Sequence, residues 1–384
     1  MKKKIAILGS TGSIGKTLLK IIKNDKKNFK IELITAKSNY KELFKQAKIF
    51  DIRNLIITDN KYFKIAQKIA IKKNINIYNN FDNLKKIFPN KIDYVMSSIT
   101  GIEGLKPSIE IIKYTKNIAL ANKESIVCGW PLIKDKLKKH KTKFLPVDSE
   151  HFSIWYAIKD ENIKNIEKIY ITASGGPFLY TKLSNLKKIK IAQALKHPNW
   201  KMGKKISIDS STMMNKVLEI IEARNIFDIS YDKLNILTHP KSYLHAIIKF
   251  QNGLIKSVFH DTTMEIPIKN SLYDNKDYKF NSKILNLDVL NNLNLKTVNL
   301  IKFPMIKILN KLPKESSLFE TVLVAANDRI VELYLEGKIK YNEIHKRLWK
   351  FINNKEFAKY KRIKPKKIEN IINLNKYVRL KINV

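Results

Sequence analysis

The stretch IAILGSTGSIG at residues 5–15 decides the fold of the first part of the chain. Its four apolar residues predict a short buried strand, and the glycines at 9, 12 and 15 predict a tight turn that leads into a helix. Backbone N–H groups of such a turn, together with the helix N-terminus, attract a pyrophosphate. The spacing is G-x-x-G-x-x-G rather than G-x-G-x-x-G, so the position between strand and helix carries more weight than the motif. A glycine turn without a ligand is the alternative.

Short β-branched runs alternate with helical patterns from this stretch to about residue 148. Alternation of this kind indicates βαβ units around a parallel sheet, so we predict a Rossmann-like, doubly wound α/β fold. The predicted strands are Ile5–Leu8, Ile31–Thr35, Asn54–Ile57, Tyr94–Ser97, Asn117–Ala121 and Lys143–Val147. The predicted helices between them are Lys16–Lys23, Tyr40–Phe50, Lys61–Lys72 and Leu105–Lys113.

The pattern changes after residue 148. A strong helix at 213–225 and strand patterns at 244–250 and 254–259 predict a central α+β domain. An Asn- and Lys-rich stretch reads as a linker, and the remainder predicts helices, the clearest at 317–336. We therefore expect four segments, at 1–147, 148–280, 281–302 and 303–384.

The 384 residues carry 74 Lys and Arg against 34 Asp and Glu, a formal net charge of +40. Only six of the basic residues are arginines, whereas proteins that read nucleic acids favour the bidentate arginine fork. The lysines are spread over the whole chain, so we interpret them as compositional background and expect no nucleic-acid partner. A single cysteine excludes an intrachain disulfide and favours a reducing, cytoplasmic location. No signal-peptide core or membrane span is expected, because no apolar run is long enough.

The residues after the second predicted strand bear on cofactor type. A site for NAD usually places Asp or Glu there to accept the ribose hydroxyls, whereas this chain has TAKSN at 35–39. A cation and a hydroxyl suit a 2′-phosphate, so we expect Lys37, Ser38 and Asn39 to favour NADP. Lys37 could instead be one more surface lysine.

Two groups of oxygen ligands lie in the middle of the chain. Asp148 and Glu150 follow an apolar run, and in an extended chain residues i and i+2 project to the same side. On the predicted helix, Asn215, Glu219 and Glu222 share one face. Hard oxygen ligands of this kind suit Mg²⁺ or Mn²⁺. A solvated acidic helix face is the alternative.

Two further segments combine hydroxyls, cations and turns. The segment 172–178 holds a serine in a Gly-Gly turn, which makes an anion-binding nest plausible. The segment 197–205 places Trp200 and Met202 in a polar, basic loop. These two side chains are either core anchors or the apolar underside of a lid that excludes water.

Taken together, the sequence motifs of this chain resemble those of one family, the 1-deoxy-D-xylulose 5-phosphate reductoisomerases. The matching stretches follow the family's order over the first two thirds of the chain: GSTGSIG (9–15), LANKES (120–125), PVDSEH (146–151), SGGPF (174–178), HPNWKMGKKISIDSSTMMNK (197–216), LEIIEA (218–223) and the histidines of HP…H at 239 and 245. In the C-terminal third, AAN at 325–327 is the best anchor.

This resemblance implies an NADPH- and metal-dependent homodimeric enzyme of isoprenoid precursor biosynthesis, using Mg²⁺, Mn²⁺ or Co²⁺. Segment 1–147 would bind NADPH, and segment 148–280 would carry catalysis and dimerisation. The implied metal ligands are Asp148, Glu150 and Glu219. The implied substrate-binding residues are Lys123, Ser149, Ser174, His197, Ser210, Asn215 and Lys216, with Trp200 and Met202 on a closing loop. The implied NADPH contacts are Thr11, Gly12, Ser13, Ile14, Asn39, Asn122, Glu124 and Gly203.

Two departures from the family pattern concern single residues. Lys37 stands where the family usually has Gly, which puts the expected contacts of residues 37–39 with the ribose of NADPH in question. Val217 replaces a usual Gly. The weighed alternatives are a lysine-rich anion-binding protein, a catalytically inactive relative and another NADP-dependent dehydrogenase. The first predicts basic residues concentrated in one region, yet carboxylates occur at the sites named above. The second predicts loss of metal or phosphate residues, and every one is present. The third does not explain three acids beside a Ser, His, Asn and Lys cluster.

Overall fold

The computed structural model describes residues 1–273, 282 and 284–383. The described residues form two compact units. Unit 1 lies within Met1–Ser125, Leu132–Asp148 and Met264–Lys279. Unit 2 lies within Ile126–Pro131, Ser149–Thr263 and Phe280–Val384. The predicted boundary at 280 and 281 lies outside the described residues, and the four-segment division stays a prediction.

Unit 1 is built on a seven-stranded parallel sheet. Its strands are β1 (Lys3–Leu8), β2 (Phe29–Ala36), β3 (Asn54–Ile57), β4 (Asn76–Tyr78), β5 (Ile92–Ser97), β6 (Thr115–Leu120) and β7 (Lys143–Pro146). They lie in the order β4-β3-β2-β1-β5-β6-β7. The order reverses between β1 and β5, and ligands of such folds bind at the carboxyl ends of the strands at this point. The predicted doubly wound fold is confirmed.

Unit 2 contains a mixed five-stranded sheet. Its strands are β8 (Ile166–Ala173), β9 (Leu234–Thr238), β10 (Leu244–Phe250), β11 (Ile255–Phe259) and β12 (Lys296–Thr297). The order is β11-β10-β8-β9-β12, with β8 and β9 parallel and the other neighbours antiparallel. The predicted α+β character of the central part is confirmed. Strand β12 and a short helix fall in the segment that we expected to be a linker.

The helices of the described residues follow in chain order. They are α1 (Ser13–Lys23), α2 (Tyr40–Phe50), α3 (Asn60–Lys72), α4 (Leu84–Ile87), α5 (Leu105–Ile111), α6 (Lys123–His140), α7 (Ser149–Ala157), α8 (Ile191–Ala194), α9 (Lys204–Thr212), α10 (Met214–Phe227), α11 (Glu265–Tyr273), α12 (Leu287–Asn291), α13 (Phe319–Leu335), α14 (Tyr341–Ile352), α15 (Lys355–Ala358) and α16 (Ile368–Leu380). The C-terminal part is helical, as predicted. None of the described helices is both long and apolar enough to cross a bilayer.

Helix α7 corrects one expectation. The stretch from Asp148 to Glu150 was expected to be extended, but α7 begins at Ser149 and Glu150 lies in its first turn. The i, i+2 argument for converging carboxylates is therefore wrong. An acidic residue in the first turn is favourable because it faces the positive end of the helix dipole.

Helix α10 forms the centre of unit 2. Val217 and Ile221 are fully buried, and Ile220 packs in the same core as Ile169 and Ile248 of the sheet. Each buried side chain of this size contributes roughly 2 kcal/mol through the hydrophobic effect. The helix is buried on almost all sides, so its charged residues also lie in the interior. Buried charges must be paired to be tolerated, and this requirement shapes the site.

Candidate active site

The glycine turn after β1 has the geometry that a close approach of backbone to a ligand requires. Gly9 has φ +82°, and a Cβ at this position would lie 2.9 Å from the Ser98 carbonyl oxygen. A Cβ on Gly15 would lie 2.5 Å from Cα of Ser10, so the turn can close only with glycine there. Helix α1 begins after Gly12, and no side chain caps it. Its first N–H groups therefore remain available to an anion.

Thr11, Gly12, Ser13 and Ile14 all lie in this turn or in the first residues of α1, where the sequence placed them. Gly12 and Ser13 are exposed, and Thr11 and Ile14 are half-buried. Their position at the carboxyl end of β1, next to the reversal of strand order, is the position of a pyrophosphate in dinucleotide-binding folds.

Three residues that we did not single out hold the turn in place. The Thr35 hydroxyl accepts a hydrogen bond from the Gly9 N–H at 2.9 Å, and the Ser98 hydroxyl donates to the Leu8 carbonyl at 2.8 Å. The buried Gln46 side chain accepts from the Ser10 hydroxyl at 2.7 Å and donates to the Ser10 carbonyl. Gln46 interrupts the apolar face of α2, and this polar residue among buried ones was a signal that could have identified it.

The ribose-end candidates follow β2. Lys37 makes an ion pair with Glu103, its Nζ lying 2.9 and 3.0 Å from the two carboxylate oxygens. Asn39 caps α2 by accepting a hydrogen bond from the Glu42 N–H at 3.2 Å, and Ser38 is exposed between them. Glu103 was not predicted to belong to the site, because its partner stands 66 positions earlier in the chain.

A second group in unit 1 lies after β6. The Asn122 side chain accepts from the Ser125 N–H at 2.5 Å and donates to the carbonyls of Ile99 and Gly101. It thereby caps α6 and fixes the loop after β5. Lys123 pairs with Asp148 at 2.5 Å, and Glu124 lies in the first turn of α6.

In unit 2, the carboxylates of Glu150 on α7 and Glu219 on α10 converge. One oxygen of each lies within 4.8 Å of the other. The Lys216 ammonium lies between them, 2.7 Å from Glu150 Oε1 and in contact with Glu219, and also donates to the Thr172 carbonyl at 2.8 Å. Burial favours the neutral amine, but the two carboxylates outweigh it and raise the pKa of Lys216. Two acids and one cation thus lie in direct contact in one largely buried space.

The neighbouring side chains orient these carboxylates. The Asn215 amide donates to Glu219 Oε1 at 2.5 Å, and the Ser149 hydroxyl donates to Glu150 Oε2 at 2.5 Å. The side-chain amide oxygen of Asn215 (Oδ1) is buried and makes no hydrogen bond within the described part of the chain. Glu219 and Glu222 are each only 1% exposed, so the alternative of a solvated acidic helix face is wrong.

His151 is a further residue that we did not assign to the site. Its buried imidazole donates from Nε2 to the Glu219 carbonyl at 2.8 Å, and its Nδ1 lies 3.9 Å from the Glu222 carboxylate. His151 thus ties α7 to α10, the two helices that carry the converging carboxylates.

A glycine-rich corner lies at the end of β8. Gly175 and Gly176 have φ +81° and +63°, and the Gly176 N–H donates to the Ser174 hydroxyl at 3.1 Å. A Cβ on Gly176 would lie 3.0 Å from the Ser210 carbonyl, so the turn packs closely on α9. The turn that carries Ser174 thus lies against the Ser210 backbone, and the phosphate-binding role of the two serines stays a prediction.

His197 joins this corner in a defined protonation state. Its Nδ1 accepts hydrogen bonds from the N–H groups of Asn199 and Trp200, at 3.2 and 3.0 Å. Burial and the nearby Lys216 charge lower the pKa of His197 to about 4, so the ring is neutral at pH 7. The proton of the neutral ring must then sit on Nε2, 3.1 Å from the Ser174 hydroxyl.

The two apolar side chains after His197 are neither fully buried nor fully exposed. Trp200 and Met202 are half-buried, and Trp200 packs edge-to-face on His245 with ring centroids 6.4 Å apart. Gly203 precedes α9, and no atom lies within 4 Å of where its Cβ would be. The half-buried Trp200 ring thus contacts a buried histidine, and closure of the loop over a ligand stays a prediction.

Comparisons with known proteins cover almost the whole chain. Family models match at residues 5–129 (1-deoxy-D-xylulose 5-phosphate reductoisomerase), 144–227 (the C-terminal domain of the same enzyme) and 260–381 (DXP reductoisomerase C-terminal domain). The 1-deoxy-D-xylulose 5-phosphate reductoisomerase of Pelagibacter ubique is 59% identical over 383 residues, which cover 99% of each chain. The chain belongs to the 1-deoxy-D-xylulose 5-phosphate reductoisomerase family. The resemblance inferred from the sequence is confirmed.

Solved structures of the family have the same fold. The Zymomonas mobilis reductoisomerase, in complex with NADPH, is 30% identical with a TM-score of 0.87, over 99% of this chain and 98% of that one. A reductoisomerase in complex with NADPH, fosmidomycin and magnesium is 30% identical with a TM-score of 0.90, over 98% of this chain and 97% of that one.

Proposed function

We propose that the chain converts 1-deoxy-D-xylulose 5-phosphate to 2-C-methyl-D-erythritol 4-phosphate, a step of the methylerythritol phosphate route to isoprenoid precursors. The reaction joins a rearrangement of the carbon skeleton to a reduction by NADPH. Family membership over nearly the full chain supports this function. Among the residues of the site, the observation that carries this function is the convergence of Glu150 and Glu219 around the Lys216 ammonium in unit 2.

The turn after β1 fits a dinucleotide. The space that a Cβ on Gly9 or Gly15 would fill is closed by backbone, and the N-terminus of α1 lacks a side-chain cap. Thr11, Gly12, Ser13 and Ile14 would hold the pyrophosphate. Bound NADPH supplies the hydride. The further proposed NADPH contacts are Lys37, Ser38, Asn39, Asn122, Glu124 and Gly203.

The donor set of the acidic site fits a divalent cation. The carboxylates of half-buried Glu150 and buried Glu219 already surround a positive charge, and Asp148 stands one residue before α7. We propose Asp148, Glu150 and Glu219 as the ligands of Mg²⁺, Mn²⁺ or Co²⁺. Such a metal acts as a Lewis acid on the carbonyl and hydroxyl oxygens of the substrate. Lys123 and Ser149 would contact the sugar, and Ser149 also orients the Glu150 carboxylate.

The corner at the end of β8 fits the phosphate. Neutral His197 presents an Nε2–H donor, and the Ser174 hydroxyl, which accepts from Gly176, can donate its own proton. Ser210, Asn215 and Lys216 complete the proposed phosphate site. Holding the phosphate away from the reacting carbons fixes the position of the sugar and lowers the entropic part of the barrier.

The loop with Trp200 and Met202 would close over the substrate and exclude water. A dry site strengthens the electrostatic interactions of the carboxylates and of the phosphate ligands with the reacting molecule. We further propose that the enzyme works as a homodimer in the cytoplasm, and that the four segments named above are its domains.

The function is tested by following NADPH oxidation at 340 nm with 1-deoxy-D-xylulose 5-phosphate, with and without Mg²⁺ or Mn²⁺. We expect turnover that requires both substrate and metal, with 2-C-methyl-D-erythritol 4-phosphate as the product. Folded protein that oxidises no NADPH under these conditions would refute the proposal. Turnover with a small semialdehyde acid but not with the sugar phosphate would favour the dehydrogenase alternative.

A further inference from the structure

We propose that Glu103, through its ion pair with Lys37, lowers the affinity of this chain for NADPH relative to NADH. This inference rests on the proposed function, since it concerns the cofactor site of unit 1. Glu103 lies outside the sequence motifs that resemble the family.

The ion pair spans the carboxyl end of β1. Lys37 is the first residue after β2, and Glu103 lies in the single 3-10 turn Ile102–Gly104 that follows β5. Strands β2 and β5 are the two neighbours of β1 in the sheet. Two side chains that follow these strands and meet at 2.9 Å must therefore bridge the end of β1, where the glycine turn begins.

The chemistry of the two side chains matches the two forms of the cofactor. After the second strand of a dinucleotide-binding fold, a carboxylate accepts hydrogen bonds from the ribose hydroxyls of NAD, whereas a cation accommodates the 2′-phosphate of NADP. This chain places the cation after β2 and the carboxylate after β5, and the two groups neutralise each other. To bind Lys37, the 2′-phosphate must first displace the Glu103 carboxylate from the Lys37 ammonium. The phosphate then lies close to the Glu103 carboxylate, which has lost its partner.

The ion pair itself is easily opened. Both side chains are 64% exposed, and ion pairs at such positions contribute little to stability. Lys37 can therefore exchange Glu103 for a phosphate. The negative charge of Glu103 stays close to that phosphate, and like charges repel each other.

The backbone that carries Glu103 is held in place. The Asn122 amide donates to the Gly101 carbonyl at 2.7 Å, and the Ser108 hydroxyl donates to the Gly104 carbonyl at 2.6 Å. A Cβ on Gly104 would lie 2.5 Å from the Ile99 carbonyl oxygen, so the Ile99 backbone packs directly against the turn. The backbone therefore keeps the Glu103 side chain next to Lys37, and rotation of that side chain relieves only part of the repulsion in the complex.

The test measures equilibrium binding of NADPH and NADH, without substrate or metal, to the wild type, Glu103→Gln, Lys37→Gln and Glu32→Gln. Glu32 is the matched control, because it also pairs with a lysine, Lys30 at 3.0 Å, but lies in the middle of β2. We expect Glu103→Gln to bind NADPH about three- to fivefold tighter and NADH no tighter. Lys37→Gln should bind NADPH about tenfold weaker with NADH little changed, and Glu32→Gln should match the wild type.

Equal changes of NADPH affinity in Glu103→Gln and Glu32→Gln would overturn the inference. Such a result would mean that the affinity depends only on the net charge of unit 1 and not on the position of Glu103. Tighter binding of both cofactors to Glu103→Gln, by the same factor, would overturn it as well. If the wild type binds neither cofactor, the proposed function itself fails. If it binds NADPH and the variants do not differ, only the inference fails.

Discussion

The Nζ atom of Lys216 lies 2.7 Å from Oε1 of Glu150, and the same ammonium group contacts Glu219. A cation of the protein thus occupies the space between two proposed metal ligands. The lysine offsets the repulsion between two carboxylates in a largely buried site and leaves them one net negative charge. A metal ion at the same carboxylates would replace this role of the lysine, and Lys216 would then be able to serve the phosphate.

Lys216→Gln is therefore expected to bind Mn²⁺ about tenfold tighter than the wild type in the absence of substrate, because one positive charge near the carboxylates is removed. Turnover should be lost, since a proposed phosphate ligand is missing. Calorimetry gives the Mn²⁺ affinity, and circular dichroism checks the fold. Lys249→Gln is the control, because Lys249 pairs with Glu167 at 2.6 Å on the sheet of unit 2, away from the site. Weaker or unchanged Mn²⁺ binding in Lys216→Gln would show that Lys216 does not compete with the metal for the carboxylates of Glu150 and Glu219.

His197 is expected to titrate well below an ordinary histidine. Its pKa in the folded protein is lowered to about 4 from the usual 6.5, first by burial and then by the Lys216 charge. The unfolded chain binds a proton that the folded chain does not between these values, so this contribution to stability is complete above pH 6.5 and is lost as the pH falls toward 4.

Imidazole resonances followed by NMR from pH 7.5 to about 3 test this prediction, with His197→Gln identifying the signal. We expect a midpoint near 4 and nitrogen shifts of a ring that is protonated at Nε2. A midpoint near 6.5, or a neutral ring protonated at Nδ1, would exclude the donor role proposed toward the phosphate.

Glu320 gives a pH dependence of the opposite sign. Burial raises its pKa to about 7, although hydrogen bonds from Ser317 and the charge of Arg224 oppose the shift. Between pH 4.5 and 7 the folded chain holds a proton that the unfolded chain has lost. The stabilisation is complete below pH 4.5 and is lost as the pH rises through 7.

Glu320→Gln should therefore gain stability relative to the wild type as the pH rises from 5 to 8, by up to about 3 kcal/mol. Denaturant unfolding at the two pH values measures the difference. Glu369→Gln, an exposed carboxylate in the first turn of α16, should show no such gain. Equal behaviour of the two variants would show that Glu320 is ionised in the folded protein at pH 5.

The periodicity of the sequence predicted the N-terminal sheet well, because alternation of short apolar strands and amphipathic helices is a local signal. It did not predict α6, since Gly129 and Pro131 are typical of a turn, yet the helix continues through them. The helix start at Ser149 was also missed. An acidic residue before it and another in its first turn were the signal that could have revealed it.

Side-chain partners were harder to predict than elements. Asn215, Glu219 and Glu222 share a helix face, and spacing alone cannot separate a ligand from its neighbour. Glu219 faces Lys216, whereas Glu222 lies next to the His151 ring, and this difference depends on the packing of α7 against α10. The Lys37 and Glu103 pair likewise depends on strand order, which no local pattern contains.

The most direct test of the proposed metal site compares Glu219→Gln with Glu222→Gln, two isosteric changes on the same buried helix. Mn²⁺ binding and NADPH oxidation with 1-deoxy-D-xylulose 5-phosphate are measured for both, with NADPH affinity as the check on unit 1. We predict that Glu219→Gln loses turnover and binds Mn²⁺ more than about a hundredfold weaker, while Glu222→Gln stays within about tenfold of the wild type. NADPH affinity should be unchanged in both. Normal Mn²⁺ binding by Glu219→Gln, or a comparable loss in Glu222→Gln alone, would contradict the assignment of Glu219 as a metal ligand.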